Sequence, residues 1–159
     1  MKDTRPLRER SYQVKMRQDI VDWCRANDLD VSPQILQNIT AKDFRVIFEQ
    51  LVQCLDPDWH FDPAKNLGDQ LIQALKALYY PYVGSIDLKW LSAPGAPYSW
   101  PSLLGMLHWL AEFGRVGETP IPYMAPAMTV FLAGKARISG KRRSYATGSR
   151  TGPYRFRRR

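Results

Sequence analysis

The fold is decided by Gly95-Ala-Pro-Tyr-Ser-Trp-Pro-Ser-Leu-Leu-Gly-Met-Leu-His-Trp-Leu-Ala-Glu-Phe113, which combines a turn, a helix start and a helix that is apolar on almost every side. Ser99 is placed to cap the first amides, and Pro101 lies in the first turn, where a missing amide costs least. Seven large apolar residues leave only a narrow stripe of Gly105, His108 and Glu112. A helix of this kind must be surrounded by other helices.

One helix and one short helical turn are predicted before residue 40. The helix begins at Ser11 and ends at Asn27-Asp28, with apolar residues recurring at helical spacing between them. Ser32-Pro33 is typical of a cap followed by proline at the first helical position, so a short turn through Leu36 is predicted to follow it. The N-terminal half of the chain therefore contributes helices that can cover the apolar one.

Two further helices are predicted between residues 40 and 82. Thr40 and Asp43 have the spacing of a capping box, and Asp56-Pro57 ends the helix that they begin. Asp62-Pro63 predicts the next start, and Tyr80-Pro81 predicts the end because a residue before proline is pushed out of helical geometry. Residues 83–94 are predicted to be a loop or a short helix. Since no segment alternates like a strand, the predicted fold class is all-α.

The excess positive charge is confined to the last part of the chain. The 159 residues carry a net charge of +8 at pH 7. Residues 1–114 hold 12 Lys and Arg against 14 Asp and Glu, a net charge of −2, whereas residues 115–159 hold 11 against one, a net charge of +10. Low hydrophobicity with like charge predicts a mostly disordered basic tail over 115–159. The predicted organisation is an arm at 1–10, a helical domain at 11–114 and this tail.

The chain lacks the motifs that catalysis and metal binding require. Neither His60 nor His108 has a cysteine or a second histidine at ligand spacing, so no metal site is predicted, and His108 with Glu112 is predicted to be a local polar pair. No phosphate loop or nucleophile motif occurs, and no apolar run reaches 18 residues. We expect a protein that is not an enzyme, uses no cofactor and no membrane, and keeps Cys24 and Cys54 reduced on the apolar sides of their helices.

Six short motifs in uninterrupted order resemble one family. They are Arg5-Pro6-Leu7, Lys42-Asp43-Phe44, Tyr80-Pro81-Tyr82, Gly95-Ala96-Pro97, Ser99-Trp100-Pro101 and Leu107-His108-Trp109-Leu110. Over residues 3–115 the chain resembles the N-terminal calponin-homology domain of the outer-kinetochore Ndc-eighty family. One motif of this kind would be weak evidence, but six that agree in order are specific.

The resemblance implies an all-helical calponin-homology-like domain that binds tubulin in the microtubule lattice and attaches chromosomes to the mitotic spindle. It also implies pairing with a second calponin-homology domain from a partner kinetochore subunit, and a location in the nucleus, at the centromere and kinetochore. The family's microtubule-binding cations correspond here to Arg10, Lys42 and Lys89. Two other contact positions, which are basic or imidazole in some relatives, are Gln34 and Tyr98 in this chain.

The family also carries a disordered basic tail before the domain and a long coiled coil after it. This chain begins almost at the domain, and no heptads occur in residues 115–159. We therefore expect the chain to represent an isolated head domain.

The tail supports a hypothesis from a different class, in which the chain binds nucleic acid. Its basic clusters are Lys141, Arg142, Arg143, Arg155, Arg157, Arg158 and Arg159. Tyrosine and phenylalanine lie among them, and this composition favours phosphate contacts and base stacking with RNA or DNA. A solvated tail without a role is the simpler interpretation. Actin binding by a calponin-homology domain is a further alternative.

Overall fold

A computed structural model describes residues 3–116, all of which belong to the unit Met1–Glu118. Its α-helices are α1 (Arg10–Ala26), α2 (Pro33–Gln37), α3 (Ala41–Leu55), α4 (Leu67–Ala77) and α5 (Trp100–Val116). Two short 3₁₀ segments, Val83–Ser85 and Leu88–Ser92, lie between α4 and α5. No strand occurs within residues 3–116, and the predicted all-α fold class is confirmed. None of the described helices is both long and apolar enough to cross a bilayer.

α5 lies at the centre of the fold, as its sequence predicts. Eleven of its 17 residues are buried, including Gly105 and His108, which are two of the three residues of the predicted narrow stripe. α1 packs along α5, and α3 contacts it as well. Burial on nearly all sides follows from the composition of α5, because leaving its leucines in water would forfeit the hydrophobic free energy of each side chain.

Two predicted helix starts are confirmed. The Ser32 hydroxyl accepts a hydrogen bond from the Ile35 amide at the start of α2. At the start of α3 the Asp43 amide donates to Thr40 Oγ1 over 3.1 Å, and the Thr40 amide donates to Asp43 Oδ2 over 3.1 Å. These reciprocal bonds complete the capping box and fix where α3 begins.

The predicted role of Ser99 is wrong. Its buried hydroxyl donates to the carbonyls of Ala93 and Ala96, at 2.8 and 3.2 Å, instead of accepting from the amides of α5. The Ala93 and Ala96 carbonyls also accept hydrogen bonds from backbone amides of the same loop, so the buried hydroxyl adds to a local network of hydrogen bonds before α5. Ser99 therefore fixes the shape of the loop that leads into α5.

The starts of α1 and α4 differ from the sequence prediction. α1 begins at Arg10, one residue before the predicted start at Ser11. The predicted cap Asp62 instead accepts from the Ala64 amide and closes a local turn. Asn66 caps α4, because its side chain accepts from the Gly68 amide over 2.7 Å. Asp62 and Asn66 have the same capping chemistry, so sequence alone does not choose between them.

α1 and α4 end in the same way, with a left-handed residue after the cap. Asp28 has φ 57° and Tyr79 has φ 60°. After α4 the Tyr80 amide donates to the Leu75 carbonyl and the Tyr79 amide to that of Lys76, which is the Schellman pattern. The predicted end at Tyr80-Pro81 is therefore wrong: α4 stops at Ala77 because Tyr79 reverses the chain. A non-glycine residue pays about 1–2 kcal/mol for this conformation.

The two cysteines are free thiols in different surroundings. Cys24 is buried, and this burial, together with the nearby Cys54 sulfur, raises the pKa of its thiol to about 11. Cys54 is exposed, which corrects its predicted place on the apolar side of α3. The apolar stripe of α3 is instead completed by Val52.

Candidate functional site

The three predicted microtubule-binding cations are all exposed. Arg10 is the first residue of α1, Lys42 lies in the first turn of α3, and Lys89 lies in the segment Leu88–Ser92. None of the ion pairs formed within residues 3–116 involves any of them. Their charges are therefore available to an external partner.

The structure brings the elements of Lys42 and Lys89 together. The segment Leu88–Ser92 packs against α3. The loop that follows it also contacts the start of α3, because a Cβ atom on Gly95 would lie 2.9 Å from the Ile39 carbonyl oxygen. Only glycine allows the two backbones to approach so closely. Arg10 lies on another element, α1, which packs mainly on α5.

Two further lysines lie beside this region, and sequence reasoning missed them. Lys65 and Lys76 line a groove of about 630 Å³ along α4, and Leu88 borders the same groove. The Leu88 methyl groups lie 3.2–3.3 Å from where a Cβ atom on Gly68 would be, so the segment that carries Lys89 rests on the first turn of α4. The sequence contained a signal for the exposure of Lys76, because this lysine lies on the polar side of a helix whose buried side includes Leu71 and Leu75.

Exposed apolar side chains accompany these cations. The large apolar residues that are most exposed are Val14 at 51%, Val46 at 45%, Tyr79 at 67%, Leu88 at 42% and Tyr98 at 61%. Val14 and Val46 lie one helical turn after Arg10 and Lys42, and Leu88 adjoins Lys89. Three of the five therefore lie next to a cation without an ion pair. Such pairs can combine charge attraction with burial of apolar area on binding.

The two positions where the chain departs from the family also lie on the surface. Gln34 is exposed in the first turn of α2, and Tyr98 is exposed before α5. Tyr98 lines a second groove, of about 410 Å³, together with Arg5 and Arg8. These positions can contact a partner, but neither contributes a positive charge.

The arm motif Arg5-Pro6-Leu7 has an internal role. One Arg5 nitrogen donates to the Gly105 carbonyl over 2.9 Å, and the guanidinium lies 5.2 Å from the ring centre of Tyr82. A Cβ atom on Gly105 would lie 2.6 Å from a Leu7 methyl group. Arg5 also pairs with Asp3, whose pKa is lowered because the hydrogen bonds and charge of Arg5 outweigh the effect of burial. Two of the family motifs, Arg5-Pro6-Leu7 and Tyr80-Pro81-Tyr82, are therefore in contact, and the first of them holds the arm against Gly105 of α5.

The predicted local pair of His108 and Glu112 is a minor part of a larger cluster. His108 Nε2 lies 2.9 Å from Asp19 Oδ2 of α1 and 3.9 Å from Glu112 Oε1. Lys15 pairs with Asp19 over 2.7 Å, and Arg115 with Glu112 over 2.9 Å. The main partner of His108 is thus on another helix, and the cluster ties α1 to α5.

The ligand atoms of Asp19, His108 and Glu112 lie within 4.8 Å of one another, a spacing that could hold a metal ion. Lys15 and Arg115 already neutralise the two carboxylates. Burial would raise the pKa of Asp19, but hydrogen bonds from Lys15 and His108 outweigh it and the pKa is lowered. The charges of the cluster are therefore paired with one another, and these pairs link α1 to α5.

The predicted polyanion-binding residues of the tail lie outside the described residues. They are Lys141, Arg142, Arg143, Arg155, Arg157, Arg158 and Arg159.

The chain is similar in sequence to several named kinetochore proteins. The chain is 37% identical over 116 residues to "Probable kinetochore protein NDC80" of Debaryomyces hansenii, 36% over 117 residues to kinetochore protein NDC80 of Saccharomyces cerevisiae, and 35% over 124 residues to kinetochore protein ndc80 of Schizosaccharomyces pombe. These matches cover 69, 70 and 76% of the chain but only 17, 16 and 19% of the relatives. The sequence model of the HEC/Ndc80p family matches residues 11–120, which include all five described helices except the first residue of α1. The resemblance found in the sequence is confirmed, and the chain belongs to the HEC/Ndc80p family.

Proposed function

We propose that this chain acts at the kinetochore as a microtubule-binding head that helps to attach chromosomes to the mitotic spindle. The observation that carries the proposal is the surface formed by the contacting elements of Lys42 and Lys89, both exposed and without an ion pair. Membership of a family whose named relatives are kinetochore proteins supports it. The role is structural, so no catalytic step is assigned to any residue.

The physical basis of the contact is local charge. Residues 1–114 carry a net charge of −2, so attraction to an acidic polymer such as tubulin must come from clustered cations. Exposed ion pairs contribute only about 0–1 kcal/mol each, and salt screens them within about 8–10 Å. A single head should therefore bind weakly. Many heads on one kinetochore would hold firmly through their effective concentration.

The proposed partners are tubulin and a second kinetochore subunit with its own calponin-homology domain. Such pairing would place two heads side by side on the lattice. The proposed location is the nucleus, at the centromere and kinetochore, and the relatives' names as kinetochore proteins support it.

Nucleic-acid binding by the tail is the second candidate. The net charge of +10 on residues 115–159 favours it, because phosphate contacts made by lysine and arginine dominate such affinity. Actin binding has no comparable observation in its favour within residues 3–116.

Co-sedimentation of the full chain tests the proposal. Wild type, Lys42→Glu, Lys89→Glu and their double variant are pelleted with microtubules and, separately, with actin filaments. We expect wild type to pellet with microtubules and not with actin. The double variant should bind microtubules about tenfold more weakly, because each reversal replaces an attraction by a repulsion of similar size.

Arg25→Glu is the matched control. Arg25 is exposed and pairs with Asp22 on α1, so its reversal makes the same charge change on a different element. Equal loss of binding in Arg25→Glu and Lys89→Glu would contradict the assigned surface. Microtubule binding that is unchanged in the double variant, with tight binding to nucleic acid instead, would favour the second candidate.

A further inference from the structure

The 3₁₀ segment that carries Lys89 is held on both sides by a contact that involves a glycine. Before Lys89, the Leu88 methyl groups lie 3.2–3.3 Å from where a Cβ atom on Gly68 would be. After it, a Cβ atom on Gly95 would lie 2.9 Å from the Ile39 carbonyl oxygen. In an interior packed this closely, a side chain on Gly68 would press on Leu88, and one on Gly95 would force two backbone segments apart.

Hydrogen bonds connect Lys89 to the loop that contains Gly95. The Ser92 hydroxyl donates to the Lys89 carbonyl over 2.8 Å. The next residue, Ala93, accepts a hydrogen bond from the Ala96 amide over 3.2 Å, which closes a turn around Gly95. Because each of these bonds spans only three residues, a displacement at Gly95 is transmitted to the backbone of Lys89.

The other side of the Gly95 contact leads to Lys42. Ile39 is buried, and the reciprocal bonds of Thr40 and Asp43 fix the start of α3 directly after it. Lys42 lies in the first turn of that helix. Gly95 lies in an exposed loop, so the loop, and not the start of α3, is the side that would move if a side chain were added.

We propose that Gly95 is a positioning residue, which fixes Lys89 relative to Lys42 so that both lysines meet the same acidic surface at once. This inference rests on the proposed function and adds what places its two cations. A segment that is already held in place loses little freedom on binding, so both lysine contacts form together at a low entropic cost. Gly95 carries no charge and acts through Lys89.

A double-mutant cycle on the full chain tests this role. Wild type, Gly95→Ala, Lys89→Ala and their double variant are compared by co-sedimentation with microtubules and by urea denaturation. Gly95→Ala should weaken binding about threefold to fivefold, because the displaced segment must be ordered again on binding. In the Lys89→Ala background the same substitution should have almost no further effect, since the side chain that it positions is gone. Equal losses in the two backgrounds would show a merely structural role and overturn the proposal.

Gly68→Ala acts on the same segment from its other side, where the added Cβ atom would press on Leu88. The loss of binding should again depend on Lys89 but be smaller, about twofold, because the Leu88 side chain can move a few tenths of an ångström. This variant supplies the cycle if Gly95→Ala does not fold.

Gly114→Ala is the matched control for stability. Its added Cβ atom would lie 2.5 Å from the Trp23 ring, between α1 and α5, so it should destabilise the fold without moving Lys89. The folded protein should bind like wild type. Gly95→Ala that binds like wild type, while the Lys42→Glu and Lys89→Glu double variant binds weakly, would overturn the positioning role and leave the proposed function standing. Failure of the wild-type chain to bind microtubules at all would overturn both proposals.

Discussion

The contact between α1 and α5, here called the seam, and the outer surface formed by α3, α4 and the segment Leu88–Ser92 use similar charged side chains for different purposes. In the seam, Lys15 and Arg115 pair with Asp19 and Glu112, and Arg115 also donates to the Asp19 carbonyl over 2.8 Å. On the outer surface, Lys42, Lys76 and Lys89 take part in none of the ion pairs within residues 3–116. A count of charges does not distinguish the two regions. The difference lies in what the fold places opposite each cation.

This comparison separates stability from binding. Changes in the seam should alter the free energy of unfolding and leave the affinity of the folded molecule unchanged. Changes on the outer surface should weaken binding and leave the free energy of unfolding nearly unchanged, because surface substitutions away from buried features usually shift stability by less than about 0.5 kcal/mol.

The largest effect is expected from Gly114→Ala in the seam. The added Cβ atom would lie 2.5 Å from Cζ2 of the buried Trp23 ring, which cannot move aside as a flexible side chain can. We expect a loss of about 1–3 kcal/mol in the free energy of unfolding, measured by urea denaturation. Gly84→Ala is the matched control, since a Cβ atom there meets nothing within 4 Å. Equal urea midpoints for Gly114→Ala and Gly84→Ala would contradict the close contact between Gly114 and the Trp23 ring.

A smaller effect is expected from Asp19→Asn, which removes the carboxylate that Lys15 and His108 share. The loss should be about 1–2 kcal/mol at neutral pH, because Lys15 is mostly exposed and its contribution is screened. The lowered pKa of Asp19 means that its stabilisation is present above the unfolded value near 3.8 and is lost as the pH falls through the lower folded value.

Urea denaturation between about pH 2 and 7 measures this effect. The wild type should lose more stability on acidification below pH 4 than Asp19→Asn does, and the two curves should converge at low pH. Parallel curves would contradict the role given to Asp19.

Much of the fold could be predicted from local sequence signals. The apolar pattern of α5 and the capping box of Thr40 and Asp43 depend on residues within one or two helical turns, and both predictions were confirmed. The end of α4 was missed because the usual signal for a left-handed cap is glycine, and this chain has Tyr79 there.

The candidate site could be predicted only in part. Lys42 and Lys89 were predicted from the family resemblance, and both are exposed. Lys76 was not predicted, because its place near Lys89 depends on the packing of Leu88 against α4. The pairing of His108 with Asp19 joins residues 89 positions apart, so no local pattern reveals it. Long-range pairs of this kind depend on how whole helices pack.

A lysine footprint on the full chain tests the central comparison most directly. The chain is treated with an acetylating reagent in the presence and absence of microtubules, and the modification of each lysine is read by mass spectrometry. The account predicts that microtubules protect Lys42, Lys76 and Lys89, while Lys15 keeps its reactivity. Protection of Lys15 in place of these three, or protection confined to Lys135 and Lys141 in the tail, would contradict it.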